Sequence, residues 1–122
     1  MVGELKTLVL GASLNPERYS HKAIHLLRQK GFSVHAFGLK PGRISDVDID
    51  TSFKPYSNIH TVTLYLNPKR QRDYMDYILS LNPKRVIFNP GTEHLEFYNL
   101  LENYNIPFEV ACTLVLLSTN QY

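Results

Sequence analysis

The feature that most constrains this chain is an alternation repeated along its length: a short apolar run, a polar turn, then a stretch with helical spacing. Leu5–Leu10 (LKTLVL) is the first run, closed by Gly11-Ala12-Ser13. Ser20–Lys30 follows with Ala23, Ile24 and Leu27 on one face, and Gly31 stands where a C-cap glycine would. Phe32–Phe37 (FSVHAF) alternates as a second strand, and Thr61–Leu66 (TVTLYL) reads as a third. Lys69–Leu81 is expected to be one helix, with Tyr74, Ile78 and Leu81 along one side. Arg85–Phe88 reads as a strand, Glu93–Tyr104 as a helix, Phe108–Ala111 as the last strand and Thr113–Ser118 as a short helix. Between Leu39 and Ser57, Pro41, Gly42 and Pro55 break every pattern, leaving room for one short edge strand near Val47–Ile49.

Strands and helices alternating at this spacing make βαβ units, whose crossovers generate a parallel sheet with helices on both faces. The expectation is therefore an α/β fold. It is a single doubly wound domain over residues 1–122 with a mainly parallel five-stranded sheet, and 122 residues is an ordinary length for one core. A hydrophobic fraction of 43% with 20% charged residues fits a globular domain. The formal charge of +2 offers no broad basic face, so no nucleic-acid partner is expected and any positive site must be local. Cys112 stands alone, which rules out an internal disulfide and suits a reducing compartment. Met1–Lys6 lacks the apolar stretch of a secretory leader, and the apolar runs fall short of the roughly 20 residues a spanning helix needs. A cytoplasmic protein with no membrane partner is the expectation.

In doubly wound sheets, ligands sit beyond the carboxyl ends of the strands, where strand order reverses. Three of these ends carry the same dipeptide: Asn15-Pro16, Asn67-Pro68 and Asn89-Pro90. Asn accepts from a free backbone N–H and proline tolerates the first helical position, so each is expected to start a helix. Asn82-Pro83 joins a helix to a strand instead, which puts it at the opposite edge without a binding role.

The loop Gly11 to Ser20 (GASLNPERYS) is more specific. Gly11 lets a backbone approach closely, Ser13 and Ser20 offer hydroxyls, Arg18 offers a planar fork of donors suited to phosphate, and the following helix exposes N–H groups. It is not the dinucleotide pattern G-x-G-x-x-G, because Ser13 and Pro16 stand at the second and third glycine positions. The plain alternative is an ordinary β-to-α turn with a surface arginine. After the second strand, an NAD site would carry an acidic residue for the ribose hydroxyls. Here Gly38, Lys40 and Arg43 occupy a basic turn, which suits a ligand with an extra ribose phosphate, coenzyme A or NADP, or else merely solvates a loop.

The segments GASLNPERYS, NPGTE (Asn89–Glu93) and ACTLV (Ala111–Val115) together resemble the small stand-alone CoA-binding proteins, over nearly the whole chain and in matching order. Their Rossmann-like fold is similar to the N-terminal domain of the succinyl-CoA synthetase α subunit. That resemblance implies a domain binding coenzyme A or an acyl-CoA. Gly11, Ala12, Ser13, Asn15, Pro16, Arg18 and Ser20 would lie on the phosphate side, Leu64, Tyr65 and Asn67 near the adenosine or the pantetheine arm, and Asn89, Pro90 and Gly91 on the facing wall. The chain departs from the family in the turn after the second strand. A proline- and asparagine-containing turn is usual there, and this chain has Ala36-Phe37-Gly38-Leu39-Lys40.

Catalytic sets are weak. Cys112 lacks a neighbouring positive charge and reads as a buried structural thiol. His94 reads as a first-turn surface residue. His21 and His25 share one helix face but have no third metal ligand in sequence. No P-loop and no G-x-S-x-G elbow occurs. Tyr74, Tyr77, Tyr98 and Tyr104 would form a homodimer or partner surface if they faced outward together. Three readings stand: a non-catalytic CoA-binding module, an NADP-linked or acyl-CoA-processing enzyme component, and a ligand-free interaction domain.

Overall fold

A computed structural model describes residues 5–122; residues 1–4, and with them most of the Met1–Lys6 stretch expected to lack a leader, lie outside it. The elements are β1 (Lys6–Ala12), α1 (Tyr19–Gln29), β2 (Ser33–Gly38), β3 (Gly42–Ile44), β4 (Val47–Asp50), β5 (Ile59–Leu64), α2 (Pro68–Gln71), α3 (Met75–Leu81), β6 (Arg85–Phe88), α4 (Leu95–Asn103), β7 (Phe108–Val110) and α5 (Thr113–Ser118). The sheet order is β3-β4-β2-β1-β5-β6-β7, parallel throughout except for the β3–β4 pair. The α/β class holds, but the sheet has seven strands among the described residues, not five.

The two additional strands come from the Pro- and Gly-broken stretch: β4 is the short strand expected near Val47–Ile49, and β3, which lies outside it at the sheet edge, is the unexpected one. Ile44 pairs with Val47 across a tight turn in which Ser45 takes a φ of +56°, a backbone shape that hairpin turns require. Ile44, Val47 and Ile49 are buried, while Arg43, Asp46 and Asp48 face solvent, so period 2 is present but too short to stand out. Arg28 of α1 holds the turn through Asp46, with Nε to Oδ1 at 2.8 Å and Nη2 to Oδ2 at 2.9 Å. β4 then adds to the sheet beside β2, Ala36 opposite Ile49.

Strand alternation divides the core between the two faces. Leu8, Leu10, Phe37, Val62, Leu64, Val86 and Phe88 meet Met75 and Ile78 of α3 and Phe97 and Leu101 of α4 on one side. Val9 and Ala36 meet Ile24 and Leu27 of α1 and Leu117 of α5 on the other. That second face also buries threonines. Thr7 pairs with the Tyr122 hydroxyl at 2.5 Å, Thr61 receives Arg85 Nε at 3.1 Å, and the Thr63 and Thr113 hydroxyls lie 2.8 Å apart.

The single helix expected over Lys69–Leu81 is two. Asn67 caps α2 by accepting from the Arg70 N–H at 2.9 Å, and the backbone then tightens through i→i+3 bonds, Asp73 N to Arg70 O and Tyr74 N to Gln71 O. No glycine or proline in 69–81 marks that break. Tyr74, Tyr77 and Tyr98 pack against the core and only Tyr104 of the four is exposed, so they do not form one outward patch. Among the described residues no helix is long and apolar enough to cross a membrane.

Candidate functional site

Strand order reverses between β1 and β5, because the chain runs from β1 outward to β2 and the hairpin and then returns to β5 on the other flank. A cavity of 710 Å³ opens at the carboxyl ends of the strands around this point. Its volume falls in the range typical of small-molecule sites, about 300–1,000 Å³.

The first loop supplies one wall. Gly11, Ala12, Ser13, Asn15, Arg18 and Ser20 all border the cavity, whereas Pro16 does not. Gly11 has a φ of +94°, and a Cβ there would lie 2.9 Å from the Tyr65 carbonyl oxygen, so glycine allows the β1 and β5 ends to close together. Asn15-Pro16 does not start α1, contrary to expectation; it forms a turn. The Asn15 side chain accepts from Glu17 N at 3.0 Å, its carbonyl accepts from Arg18 N at 3.0 Å, and the helix begins at Tyr19. No side chain caps that helix. Ser20 is buried in its first turn.

The β2 end contributes Gly38 and Lys40, together with Phe37 and Leu39. Gly38 sits opposite Ala12 at an irregularity in the β1–β2 register, and a Cβ on it would fall 2.4 Å from the Ala12 carbonyl oxygen. Lys40 is exposed at the cavity mouth. Arg43 lies away from it on the hairpin, its Nε 2.9 Å from Asp48 directly across the strands.

From β5, Tyr65 and Asn67 border the cavity, but the Leu64 side chain belongs to the core. The Tyr65 hydroxyl is buried without a hydrogen-bond partner among the described residues, and that burial pushes its phenol up. From the β6 end, Pro90, Gly91 and Thr92 form the far wall. Asn89-Pro90 makes a turn closed by Thr92 N to Asn89 O at 3.0 Å, and α4 starts only at Leu95. Of the three Asn-Pro pairs, only Asn67-Pro68 starts a helix. Asn82 ends α3 in the left-handed region.

Asn89 turns inward rather than toward the cavity. Its Nδ2 donates to Thr63 Oγ1 at 2.7 Å and Leu64 O at 2.9 Å, and its Oδ1 accepts from Thr113 N at 2.8 Å. It thereby ties β5, β6 and the start of α5 into one unit beneath the site.

His94 is not a surface residue: it is 6% exposed. Gln71 explains its place. The Gln71 amide nitrogen donates to Leu66 O and to Thr92 O, each at 2.7 Å, linking the loops after β5 and β6. Its Oε1 is left to accept, so His94 donates from Nδ1 at 2.9 Å, and Nε2 has no partner among the described residues. Burial holds this imidazole below its usual range, with Glu96 opposing and Arg72 adding to the depression.

Arg70 and Tyr74 also border the cavity, and sequence reasoning missed both. The Asn67-Pro68 pair was the available signal, since capping at Asn67 fixes Arg70 in the first turn at the carboxyl-end edge of the sheet. Cys112 is half-buried at the N-cap of α5 and is not among the cavity residues. His21 and His25 lie with ring centroids 4.9 Å apart. No group of three or more potential metal-ligating side chains occurs among the described residues.

The chain is similar to an uncharacterized protein known from a crystal structure, at 41% identity and a TM-score of 0.94, with 97% of this chain and 98% of that one covered. It also resembles a Thermus thermophilus protein at 23% identity and TM-score 0.84, covering 97% of this chain and 90% of that one. A hypothetical protein from Pyrococcus horikoshii matches at 21% identity and TM-score 0.81, covering 93% and 81%. At these lower identities the likeness concerns the fold alone. No curated protein matches the chain. Residues 6–118 match the family described as CoA binding domain, and with nearly the whole alternation of strands and helices inside that match, the chain belongs to this family.

Proposed function

We propose that this protein is a coenzyme A-binding module with no catalytic step of its own, holding the ligand's phosphates on the loop after β1. The observation that carries the reading is the placement of that loop: Gly11 to Ser20 forms a wall of the cavity at the point of strand reversal. Arg18 is exposed there with no carboxylate partner among the described residues, and a guanidinium fork matches phosphate oxygens in pairs. The exposure of Lys40 at the β2 end of the cavity supports a role toward an additional ribose phosphate, whereas the pairing of Arg43 with Asp48 speaks against one there. The pantetheine arm would run toward Pro90 and Gly91. Cys112 lies outside the cavity lining, which supports a carrier or sensor acting through a partner rather than acyl transfer on this thiol.

Isothermal titration of the purified protein with coenzyme A, dephospho-coenzyme A and NADP tests this. Coenzyme A should bind best. The dephospho form should bind about 2- to 5-fold more weakly, in line with one exposed charge pair, and Lys40→Gln should abolish that difference. No binding of coenzyme A, or tighter binding of NADP, would overturn the reading.

A further inference from the structure

The chain has six arginines, and their partners divide them sharply. Arg28, Arg43, Arg72 and Arg85 are ion-paired, with Asp46, Asp48, Glu96 and Glu109 respectively. Arg18 and Arg70 have no ion pair or side-chain hydrogen bond among the described residues, and both border the cavity. They stand on different elements: Arg18 precedes α1 in the β1 loop, while Arg70 is on α2 after β5. Those are the two loops that flank the strand reversal.

We infer that Arg70 is a second ligand-binding residue, closing with Arg18 a two-sided clamp on the diphosphate of the bound coenzyme A. This rests on the coenzyme A reading above. The chemistry favours a diphosphate because its two linked phosphoryl groups present oxygens on opposite sides, so each can accept a fork of N–H donors from one wall. A carboxylate offers a single charge and one pair of oxygens for both forks, whereas each half of a diphosphate brings its own charge and oxygens. Position within the fold supports the assignment. Asn67 caps α2 and fixes the backbone from which the Arg70 side chain extends, and Gln71, the next residue, is anchored to Leu66 O, Thr92 O and His94. Arg70 therefore extends from an anchored segment. Tyr74, also at the cavity, lies one turn further along the chain.

The test is titration calorimetry with coenzyme A and dephospho-coenzyme A on wild type, Arg70→Gln, Arg70→Lys and, as control, Arg72→Gln. Loss of a charge-assisted fork should weaken coenzyme A by about 10- to 100-fold in Arg70→Gln. Arg70→Lys should recover part of this, because it keeps the charge but not the fork. Arg72→Gln, which removes an exposed ion pair with Glu96 on the same segment, should change affinity less than about twofold. The Arg70→Gln loss should be equal for coenzyme A and its dephospho form, since both carry the diphosphate. A loss confined to coenzyme A would assign Arg70 to the ribose phosphate and overturn the clamp. Wild-type binding with Arg70→Gln unaffected would overturn it as well and leave the coenzyme A reading intact, whereas failure of wild type to bind would defeat that reading itself. Unchanged thermal melting of Arg70→Gln shows that the effect is not one of folding.

Discussion

Replacing Asn89 by alanine tests whether this residue is a fastener of the fold rather than a ligand contact. The side chain is 2% exposed and makes three hydrogen bonds of 2.7 to 2.9 Å, donating to Thr63 Oγ1 and Leu64 O and accepting from Thr113 N. At about 1 kcal/mol net for each, the bonds alone account for about 3 kcal/mol. The Leu64 carbonyl and the Thr113 N–H, left without that partner, raise the cost to about 3–5 kcal/mol. A domain of this size has about 5–15 kcal/mol in total, so the variant should fold but only marginally. Urea unfolding followed by far-UV circular dichroism should show a lower midpoint at unchanged slope, and the melting temperature should drop by about 10–20 °C. Asn89→Asp keeps an acceptor for Thr113 N but sets a carboxylate against the Leu64 carbonyl. It should be at least as destabilised at neutral pH and should regain stability on acidification, because burial raises its carboxyl above the unfolded value. A loss below about 1 kcal/mol for Asn89→Ala would refute the reasoning, since it would mean these buried groups find equivalent partners without the amide.

Gly38→Ala places a methyl 2.4 Å from the Ala12 carbonyl oxygen, a backbone atom that cannot rotate away, and should cost about 1–3 kcal/mol in urea unfolding while weakening ligand binding. Tyr122→Ala removes the bond to Thr7, the edge contact with Phe32 at 4.9 Å and the stack beneath Arg85 at 4.6 Å, and should cost about 3–5 kcal/mol. Tyr122→Phe, which loses only the hydroxyl, should cost about 1 kcal/mol by the same measurement. His94 is held below its unfolded range by burial, so the unfolded chain takes up the proton more readily. Its contribution to stability is complete above about pH 6.5 and declines as pH falls through that value toward the folded pKa. The slope of unfolding free energy against pH in that window should be smaller in His94→Asn than in wild type.

The periodicities of the chain were sufficient for class, for most strands and helices and for the edge where the cavity opens. Apolar runs of strand length alternating with 3.6-residue spacing leave few other ways to bury both patterns, and the wall formed by Gly11 to Ser20 follows from its place after the first strand. Other features depended on contacts between residues distant in sequence. The short strand near Val47–Ile49 was legible, but its hairpin partner Gly42–Ile44 was not, because that pairing depends on β2 and Arg28 receiving it. The break between α2 and α3 occurs without a breaker residue, next to a Gln71 side chain anchored to Leu66, Thr92 and His94. The direction in which Asn89 and His94 point, and which two of six arginines lack a carboxylate among the described residues, are likewise decided by neighbours brought close in space. Patterning along the chain set the layers of this protein and the loop that borders the cavity. Which polar side chains fasten those layers, and which have no partner at the cavity among the described residues, were set by packing across the sheet, because a side chain's partners depend on what is brought near it in space rather than on spacing along the chain.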